Sequence, residues 1–270
     1  MRSAGAGRRR ELGIGLGLAA LALAGVSTAT AVLIAKEEPA PSSVVFAAQT
    51  APSRAAVPSA TRKTDAGPVL ARDSPVPILM YHVIADPPPS SARAGLYINP
   101  ADFAGQMRWL ARNGYTAVTL RTVWDHWHGH TRLPFSPVVI TFDDGTRSIA
   151  VRAGPQLAAY GWPGVLNLDL SNLEVSWGLS PERVRGLIEA GWEVNSHTLT
   201  HPDLTGLNAT RLQLEVAGSR SALRRRFQVP VDFFCYPSGR FDDRVVAAVK
   251  AAGYRGAMTA IDGLARPSDP

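Results

Sequence analysis

The sequence predicts an α/β fold built on a mostly parallel sheet. Short apolar segments recur between Val76 and Thr259, and segments with helical spacing of apolar residues lie between them. The segment Val138–Phe142 is apolar, rich in β-branched residues, and followed at once by two acids and a glycine, which is typical of a buried strand that ends in a turn. Because strands that alternate with helices form parallel sheets, we expect such a sheet, either open or closed into a barrel.

The elements are predicted in chain order from these patterns. The predicted strands are Val76–His82, Thr116–Leu120, Val138–Phe142, Gly164–Leu170, Glu193–Asn195, Val231–Tyr236 and Arg255–Thr259. The predicted helices are Pro100–Arg112, Ile149–Tyr160, Pro181–Ala190, Ala209–Phe227 and Asp242–Ala252. The first helix has proline at its start and Gly114 after its end, as helix boundaries often do. Pro155 lacks an N–H group and must kink or split the second helix.

The first 35 residues are predicted to be a targeting segment that does not belong to the fold. Arginines in residues 1–11 precede Leu12–Ala35, a run of 24 residues without a charge. A run of this length can cross a bilayer as a helix, and the arginines would keep its N-terminus in the cytoplasm. Alternatively, the segment is a signal peptide cleaved near Ala31. Length favours the uncleaved membrane anchor, and both versions place the rest of the chain outside the cytoplasm.

Residues 36–75 are rich in Ala, Pro and Ser and predict a flexible linker, so that residues 76–270 form the folded domain. Residues 1–75 contain 9 Lys and Arg against 5 Asp and Glu, whereas residues 76–270 contain 19 against 17. The positive charge of the chain therefore lies mostly outside the domain, which argues against nucleic acid as a partner. Cys235 is the one cysteine, so no intrachain disulfide can form.

Asp143 and Asp144 follow the predicted strand Val138–Phe142 directly. The carboxyl ends of strands are where α/β folds build their active sites. Because side chains alternate along an extended chain, the two carboxylates should point in different directions. This arrangement suits one carboxylate that binds a metal ion and one that moves a proton. The alternative is a simple turn at Asp144-Gly145 with no chemistry.

Two histidines follow another predicted strand. His197 and His201 are four residues apart, which would place them on one face if this segment were helical. Two histidines and one carboxylate form a frequent zinc or iron ligand set. His82 and the segment Tyr236–Gly239 also follow predicted strands. In a barrel all of these strand ends would meet at one rim.

The segments Thr141–Gly145 and His197–His201 resemble the first two motifs of the polysaccharide deacetylases, carbohydrate esterase family four. The similarity runs from about Val76 to the end of the chain. It implies a distorted (β/α) barrel with about seven strands. It also implies a divalent metal ion, usually zinc, held by the second acid and both histidines, with Asp143 as the base that activates water.

The segment Cys235-Tyr236-Pro237-Ser238-Gly239 resembles the third motif of the family. Cys235 stands where many members have an arginine that orients the base, so that this support must come from elsewhere. Ser238 matches the position whose backbone N–H donates to the oxyanion, and Tyr236 and Pro237 complete the turn. A turn without a catalytic role is the alternative. We expect Cys235 itself to be a small buried residue and not a nucleophile.

The segment Ile78–His82 resembles the first strand of the poly-N-acetylglucosamine deacetylase branch. His82 would then either donate a proton to the departing amine or make a structural hydrogen bond. The late Leu-x-His motif that supplies the general acid in the family is not visible. The chain stops at Pro270, soon after the last predicted strand, which leaves open whether the domain is truncated.

Three alternating histidines and two tryptophans are interpreted without a role in the site. His126, His128 and His130 alternate in a segment that we expect to be a solvated loop and not a metal site. Trp162 and Trp177 are expected in the core, although tryptophan can also stack on sugar rings.

Together with the targeting segment, this resemblance implies a zinc-dependent hydrolase that removes N-acetyl groups from a polysaccharide outside the cytoplasm, anchored to the membrane by its N-terminal helix. One alternative is an esterase that removes O-acetyl groups from xylan or a similar glycan. Another is a glycan-binding protein of weak activity, in view of the missing arginine and late histidine. An iron oxygenase fits the ligand count, but it does not account for the acid at Asp143.

Overall fold

The computed structural model describes residues 70–173 and 175–269, and these are centred on a curved parallel sheet of seven strands. The strands of the described chain are β1 (Ile78–Tyr81), β2 (Val83–Ile84), β3 (Tyr97–Ile98), β4 (Thr116–Ala117), β5 (Pro137–Asp143), β6 (Val165–Leu168), β7 (Glu193–Ser196), β8 (Phe233–Cys235) and β9 (Gly256–Met258). The order in the main sheet is β1-β5-β6-β7-β8-β9, with β4 also paired to β5, while β2 and β3 pair separately. The sheet forms a half-barrel, consistent with a distorted (β/α) barrel.

Helices connect the strands. They are α1 (Pro100–Arg112), α2 (Leu120–Trp127), α3 (Gly154–Ala158), α4 (Pro181–Glu189), α5 (Ala209–Gln213), α6 (Ser219–Phe227) and α7 (Asp243–Ala251). Short 3₁₀ segments are found at Ala94–Leu96, Leu170–Asn172, Leu204–Gly206 and Pro237–Gly239, and π-helical segments at Ile149–Ala153 and Leu214–Gly218. Among the described residues, no helix has the length and apolarity needed to span a membrane.

The central strand β5 is buried along its whole length. Val138, Ile140 and Phe142 pack in the larger core between the sheet and the helices. Val139 instead packs in a smaller cluster with Val165 of β6 and Phe233 of β8, on the inner side of the curved sheet. Because side chains alternate, Asp143 continues the inner side of β5. Burial on both faces explains why this strand is a nearly continuous apolar run.

The predicted strands all occur in the structure, with small shifts at their ends. The strand predicted at Thr116–Leu120 ends already at Ala117, because Thr119 caps α2 through a hydrogen bond from the Thr122 N–H to its hydroxyl. Pro155 splits its helix as expected: a π-helical segment precedes α3, which contains the proline near its start. The predicted helix Ala209–Phe227 is helical throughout, but a π-helical segment separates α5 from α6.

The predicted membrane segment Leu12–Ala35 lies outside the described residues, as does most of the predicted linker. The described end of that linker contacts α2, where Trp127 Nε1 donates to the Ser74 carbonyl at 3.1 Å. The expectation of a solvated loop at His126–His130 is wrong for His126. This residue lies in α2 and is buried, and its two ring nitrogens each lie 3.2 Å from a carbonyl oxygen, one of Ala71 and one of Thr131.

Candidate active site

The two adjacent acids at the end of β5 have different surroundings. Asp143 is the last residue of the strand and is buried, whereas Asp144 is partly exposed. Asp144 and Gly145 both have left-handed backbone conformations, with φ of 67° and 75°. This sharp turn redirects the chain immediately after the strand. The turn therefore sends the two carboxylates to different partners, in agreement with the expectation from strand alternation.

The Asp144 carboxylate lies against both histidines. Its Oδ1 atom is 3.5 Å from His197 Nε2 and 3.7 Å from His201 Nε2. Three ligands bound about 2.0–2.1 Å from a tetrahedral zinc ion lie about 3.3 Å from one another. The two distances to Asp144 are slightly longer than this, and all three donor atoms lie within 4.8 Å of one another, so the cluster fits a single metal ion after a small inward movement.

The orientation of His197 and the pKa of His201 also fit a metal site. His197 Nδ1 donates to the Cys235 carbonyl oxygen at 2.8 Å, which leaves Nε2 facing Asp144. Burial, together with the neighbouring His197, lowers the pKa of His201 and favours its neutral form. Neutral imidazole is the form that binds a metal ion.

The segment from His197 to His201 is not helical, so the shared helix face considered from the sequence does not occur. Instead, Thr198 and His201 have φ of 73° and 53°, and the chain turns back between the two histidines. The His201 N–H donates to the Thr198 hydroxyl at 2.9 Å and closes this turn. The rings consequently approach each other to 4.7 Å between centroids.

Glu215 holds this turn in place and was not predicted from the sequence. Its carboxylate is fully buried and accepts hydrogen bonds from the N–H groups of Leu199 and Thr200 at 2.9 and 3.1 Å. It also accepts from the Thr200 hydroxyl and pairs with Arg211 at 2.7 Å. In the sequence Glu215 resembles any acid of a surface helix. The π-helical segment Leu214–Gly218 that carries it is of a kind often found near functional sites.

Asp143 is surrounded by three side chains from other strand ends. Asn167 Nδ2 donates to its Oδ1 atom at 2.7 Å. The Cys235 thiol lies 3.4 Å from Oδ2, and His82 Nε2 lies 3.9 Å from the same oxygen. Burial, followed by the neighbouring Asp143 carboxylate, raises the pKa of the Cys235 thiol, which therefore stays protonated. The buried Cys235 thiol therefore acts as a hydrogen-bond donor. This agrees with the expectation that Cys235 is a small buried residue and not a nucleophile.

The turn Tyr236–Gly239 follows β8 and lies next to these groups. Tyr236 is largely buried and stacks on Phe241 with a centroid distance of 4.8 Å, and Pro237 is buried. Ser238 has a left-handed conformation with φ of 54°. Within the described part of the chain, its N–H makes no hydrogen bond. This group is therefore free to donate to a ligand.

Comparison with known proteins bears on this arrangement. The family model described as polysaccharide deacetylase matches residues 130–257, a stretch that contains both acids, both histidines and the turn after β8. Residues 130–257 belong to the polysaccharide deacetylase family. The members of this family are metal-dependent hydrolases, and the Asp144–His197–His201 cluster is a possible metal site.

Three relatives illustrate the similarity of this deacetylase to known proteins. YxkH of Bacillus subtilis (strain 168), whose name provisionally describes it as a polysaccharide deacetylase, is 28% identical over 231 residues, which is 85% of this chain and 79% of the relative. Poly-beta-1,6-N-acetyl-D-glucosamine N-deacetylase of Escherichia coli (strain K12) is 42% identical over 60 residues, 22% of this chain and 9% of that protein. The crystal structure of BC0361, a polysaccharide deacetylase from Bacillus cereus, has 29% identity and a TM-score of 0.65, covering 73% of this chain and 62% of that one.

The loop after β6 forms a further wall of this deacetylase site and was not predicted. Asp169 is buried at its start, and burial raises the pKa of its carboxyl group while hydrogen bonds from Ser171 lower it. Asn172 Nδ2 donates to the Asp144 carbonyl at 2.9 Å. The sequence did not mark Asp169, because the strand predicted there ran to Leu170, whereas β6 ends at Leu168 and leaves this acid directly after it.

The same loop contains Trp177 and is hydrogen-bonded to the turn that follows Asp143 and Asp144. The Arg147 N–H donates to the Trp177 carbonyl at 2.8 Å, and the Leu179 N–H donates to the Gly145 carbonyl at 2.8 Å. A Cβ atom at Gly178 would lie 1.7 Å from the Asn172 carbonyl oxygen, so this close approach requires glycine. The expectation of a core residue is correct for Trp162 but wrong for Trp177, whose side chain is 55% exposed.

Proposed function

We propose that this deacetylase removes N-acetyl groups from a polymer of N-acetylglucosamine outside the cytoplasm, with zinc as its metal ion. One observation carries the proposal. Asp144, His197 and His201 present three donor atoms with the spacing of a single metal site, and a second buried carboxylate, Asp143, lies directly beside them. The name of the Escherichia coli relative supports an N-acetylglucosamine polymer as the substrate.

In the proposed reaction, Asp144, His197 and His201 would hold the zinc ion. When bound there, zinc would lower the pKa of a water molecule and polarise the acetyl carbonyl group. Asp143 then removes a proton from the attacking water, since its carboxylate is the adjacent one that the zinc ligands leave free. The Ser238 N–H donates to the carbonyl oxygen as negative charge develops on that atom.

The last step transfers a proton to the departing amine. Asp143 holds the proton taken from water. His82 Nε2 lies 3.9 Å from Asp143 Oδ2, so that both side chains lie near the position of the departing amine. We assign this transfer to the Asp143–His82 pair. The C–N bond then breaks, which releases acetate and leaves a free amine on the sugar.

Acetate release from a panel of glycans tests the proposed function. We expect the zinc-loaded enzyme to act on β-1,6- or β-1,4-linked N-acetylglucosamine oligomers with a kcat/KM at least about tenfold above that on acetylxylan, a preference of about 1.4 kcal/mol. The metal-stripped enzyme, assayed in parallel, serves as the blank.

Other results on this panel would contradict the proposal. A clear preference for acetylxylan would identify an ester hydrolase. Binding of the oligomers without acetate release, by a protein that contains zinc, would identify a glycan-binding protein. Peptidoglycan belongs in the panel because its N-acetylglucosamine also carries acetyl groups, and a strong preference for it would redirect the assignment of the polymer.

The location outside the cytoplasm is a separate proposal that rests on the uncharged run Leu12–Ala35 after the arginine cluster. We expect the full-length protein in the membrane fraction, with residues 76–270 digested by protease added to cells whose outer barriers are permeabilised. A cytoplasmic protein processed in the same sample is the control and should stay intact. Recovery of the full-length chain from the cytosol, protected from protease, would contradict the proposal.

A further inference from the structure

Uncharged groups hold the carboxylate of Asp143. Asn167 Nδ2 donates to one oxygen at 2.7 Å, and the Cys235 thiol lies 3.4 Å from the other. Among the described residues, His82 is the one basic side chain within ion-pair distance of Asp143, at 3.9 Å. The position where the family resemblance places an arginine is occupied by Cys235. The orientation of Asp143 therefore depends on donors other than an arginine, and Asn167 and Cys235 both hydrogen-bond to it.

The sheet itself brings these residues together. Asp143 pairs in register with Asn167 on the neighbouring strand β6. Val139, Val165 and Phe233 lie on the inner side of β5, β6 and β8, and residues two or four positions further along a strand share its face. Asp143, Asn167 and Cys235 are consequently on the same inner face, and all three are buried.

A buried carboxylate with no arginine or lysine beside it requires hydrogen-bond donors. Here each oxygen of Asp143 has one donor, which fixes the plane of the carboxylate and leaves lone pairs free to accept a proton. Asn167 is fully buried, and its Oδ1 atom has no hydrogen-bond partner in the described part of the chain. If the amide were flipped, its Oδ1 atom would face the Asp143 carboxylate, and two oxygen atoms that can only accept would repel each other. The hydrogen bond to Asp143 therefore determines the orientation of the Asn167 amide.

We propose that Asn167 is a positioning residue that orients the Asp143 base, with the Cys235 thiol as the second donor. This inference rests on the proposed function, because it assigns Asn167 a role only through the base. A residue that acts in this way should matter while the base is present and cease to matter once the base is removed. A residue that only stabilises the fold should matter equally in both cases.

A double-mutant cycle of Asn167→Leu and Asp143→Asn separates these roles. In the wild-type background we expect Asn167→Leu to lower kcat by roughly 10–100-fold, the usual cost of losing a group that orients a catalytic ligand, with KM and zinc content unchanged. In the Asp143→Asn background we expect no further loss. Acetate release is measured at high enzyme concentration over hours, so that the slow variants are quantified.

A second pair of variants tests the thiol. Cys235→Ser retains an O–H donor at this position and should keep more activity than Cys235→Ala. Asn195→Leu is the matched control for the asparagine, since Asn195 is equally buried on β7 but bonds to Glu193 and the Phe233 N–H. Any loss that it causes should be the same factor with and without the Asp143→Asn change. If Asn167→Leu does not fold, Asn167→Ala removes the same amide without added bulk and enters the same cycle.

Two results would overturn the inference: an equal loss from the Asn167 change in both backgrounds, or no loss in the wild-type background. Failure of the proposed function has a different signature. In that case Asp143→Asn itself would leave acetate release unchanged, or the wild-type enzyme would release none.

Discussion

Asp143→Asn is expected to keep its zinc and to lose turnover by roughly 10²–10⁴, the usual contribution of a positioned general base. The substitution preserves the size of the side chain and replaces the carboxylate with an amide that cannot accept the proton. The metal should remain, because the donor atoms of Asp144, His197 and His201 form their own cluster. Zinc titration and acetate release on the purified variant measure both effects.

The adjacent acid supplies the matched control. Asp144→Asn removes the carboxylate that lies 3.5 and 3.7 Å from the two histidine nitrogens, so it should cost zinc affinity as well as rate. Excess zinc should then partly restore Asp144→Asn and leave Asp143→Asn unchanged. The opposite pattern would mean that the roles of the two acids are reversed. Full activity and full zinc in both variants would mean that this strand end is only a turn.

His197→Ala should have the largest effect on metal content. His197 is almost completely buried, with Nδ1 bound to the Cys235 carbonyl and Nε2 directed to Asp144, so no other side chain can replace this nitrogen without rearrangement. Two remaining ligands make a poor zinc site. We expect the affinity for zinc to fall by more than the roughly 10–100-fold that is typical of losing a residue that only orients a ligand.

Elemental analysis after dialysis, with circular dichroism to confirm folding, measures this loss. His128→Ala is the control histidine, because its exposed ring stacks on Trp124 and bonds to the Trp124 carbonyl, far along the chain from the candidate site. It should retain the zinc content of the wild type. Equal zinc in His197→Ala and the wild type would refute the ligand assignment.

Much of the fold could be predicted because local patterns determine it. The helix α1 has the predicted bounds, since proline at its start, the Asn99 cap and Gly114 after its end are all local signals. The strand β5 was found because a parallel strand buried on both faces must be apolar throughout. By contrast, α2 was missed, because its short sequence contains two tryptophans and a histidine whose burial depends on contacts with the linker end and β8.

The sequence by itself determined the alternation of strands and helices and the chemistry-bearing residues at the strand ends. It did so because apolar periodicity sets the elements, and the parallel arrangement of strands collects their carboxyl ends at one edge. Asp143, Asp144, His197 and His201 could therefore be named before any coordinates. The family resemblance rested on these same residues.

Only the tertiary structure decided which groups support them. Glu215 shapes the histidine turn from 14 positions beyond His201, and Asn167 reaches Asp143 from the neighbouring strand. Neither residue has a sequence signal, because a buried acid in a helix and a buried amide in a strand become informative only when their partners are known. Hydrogen bonds between residues distant in the chain depend on strand register, on the π-helical segment and on left-handed turns, and these are set by packing of the whole domain.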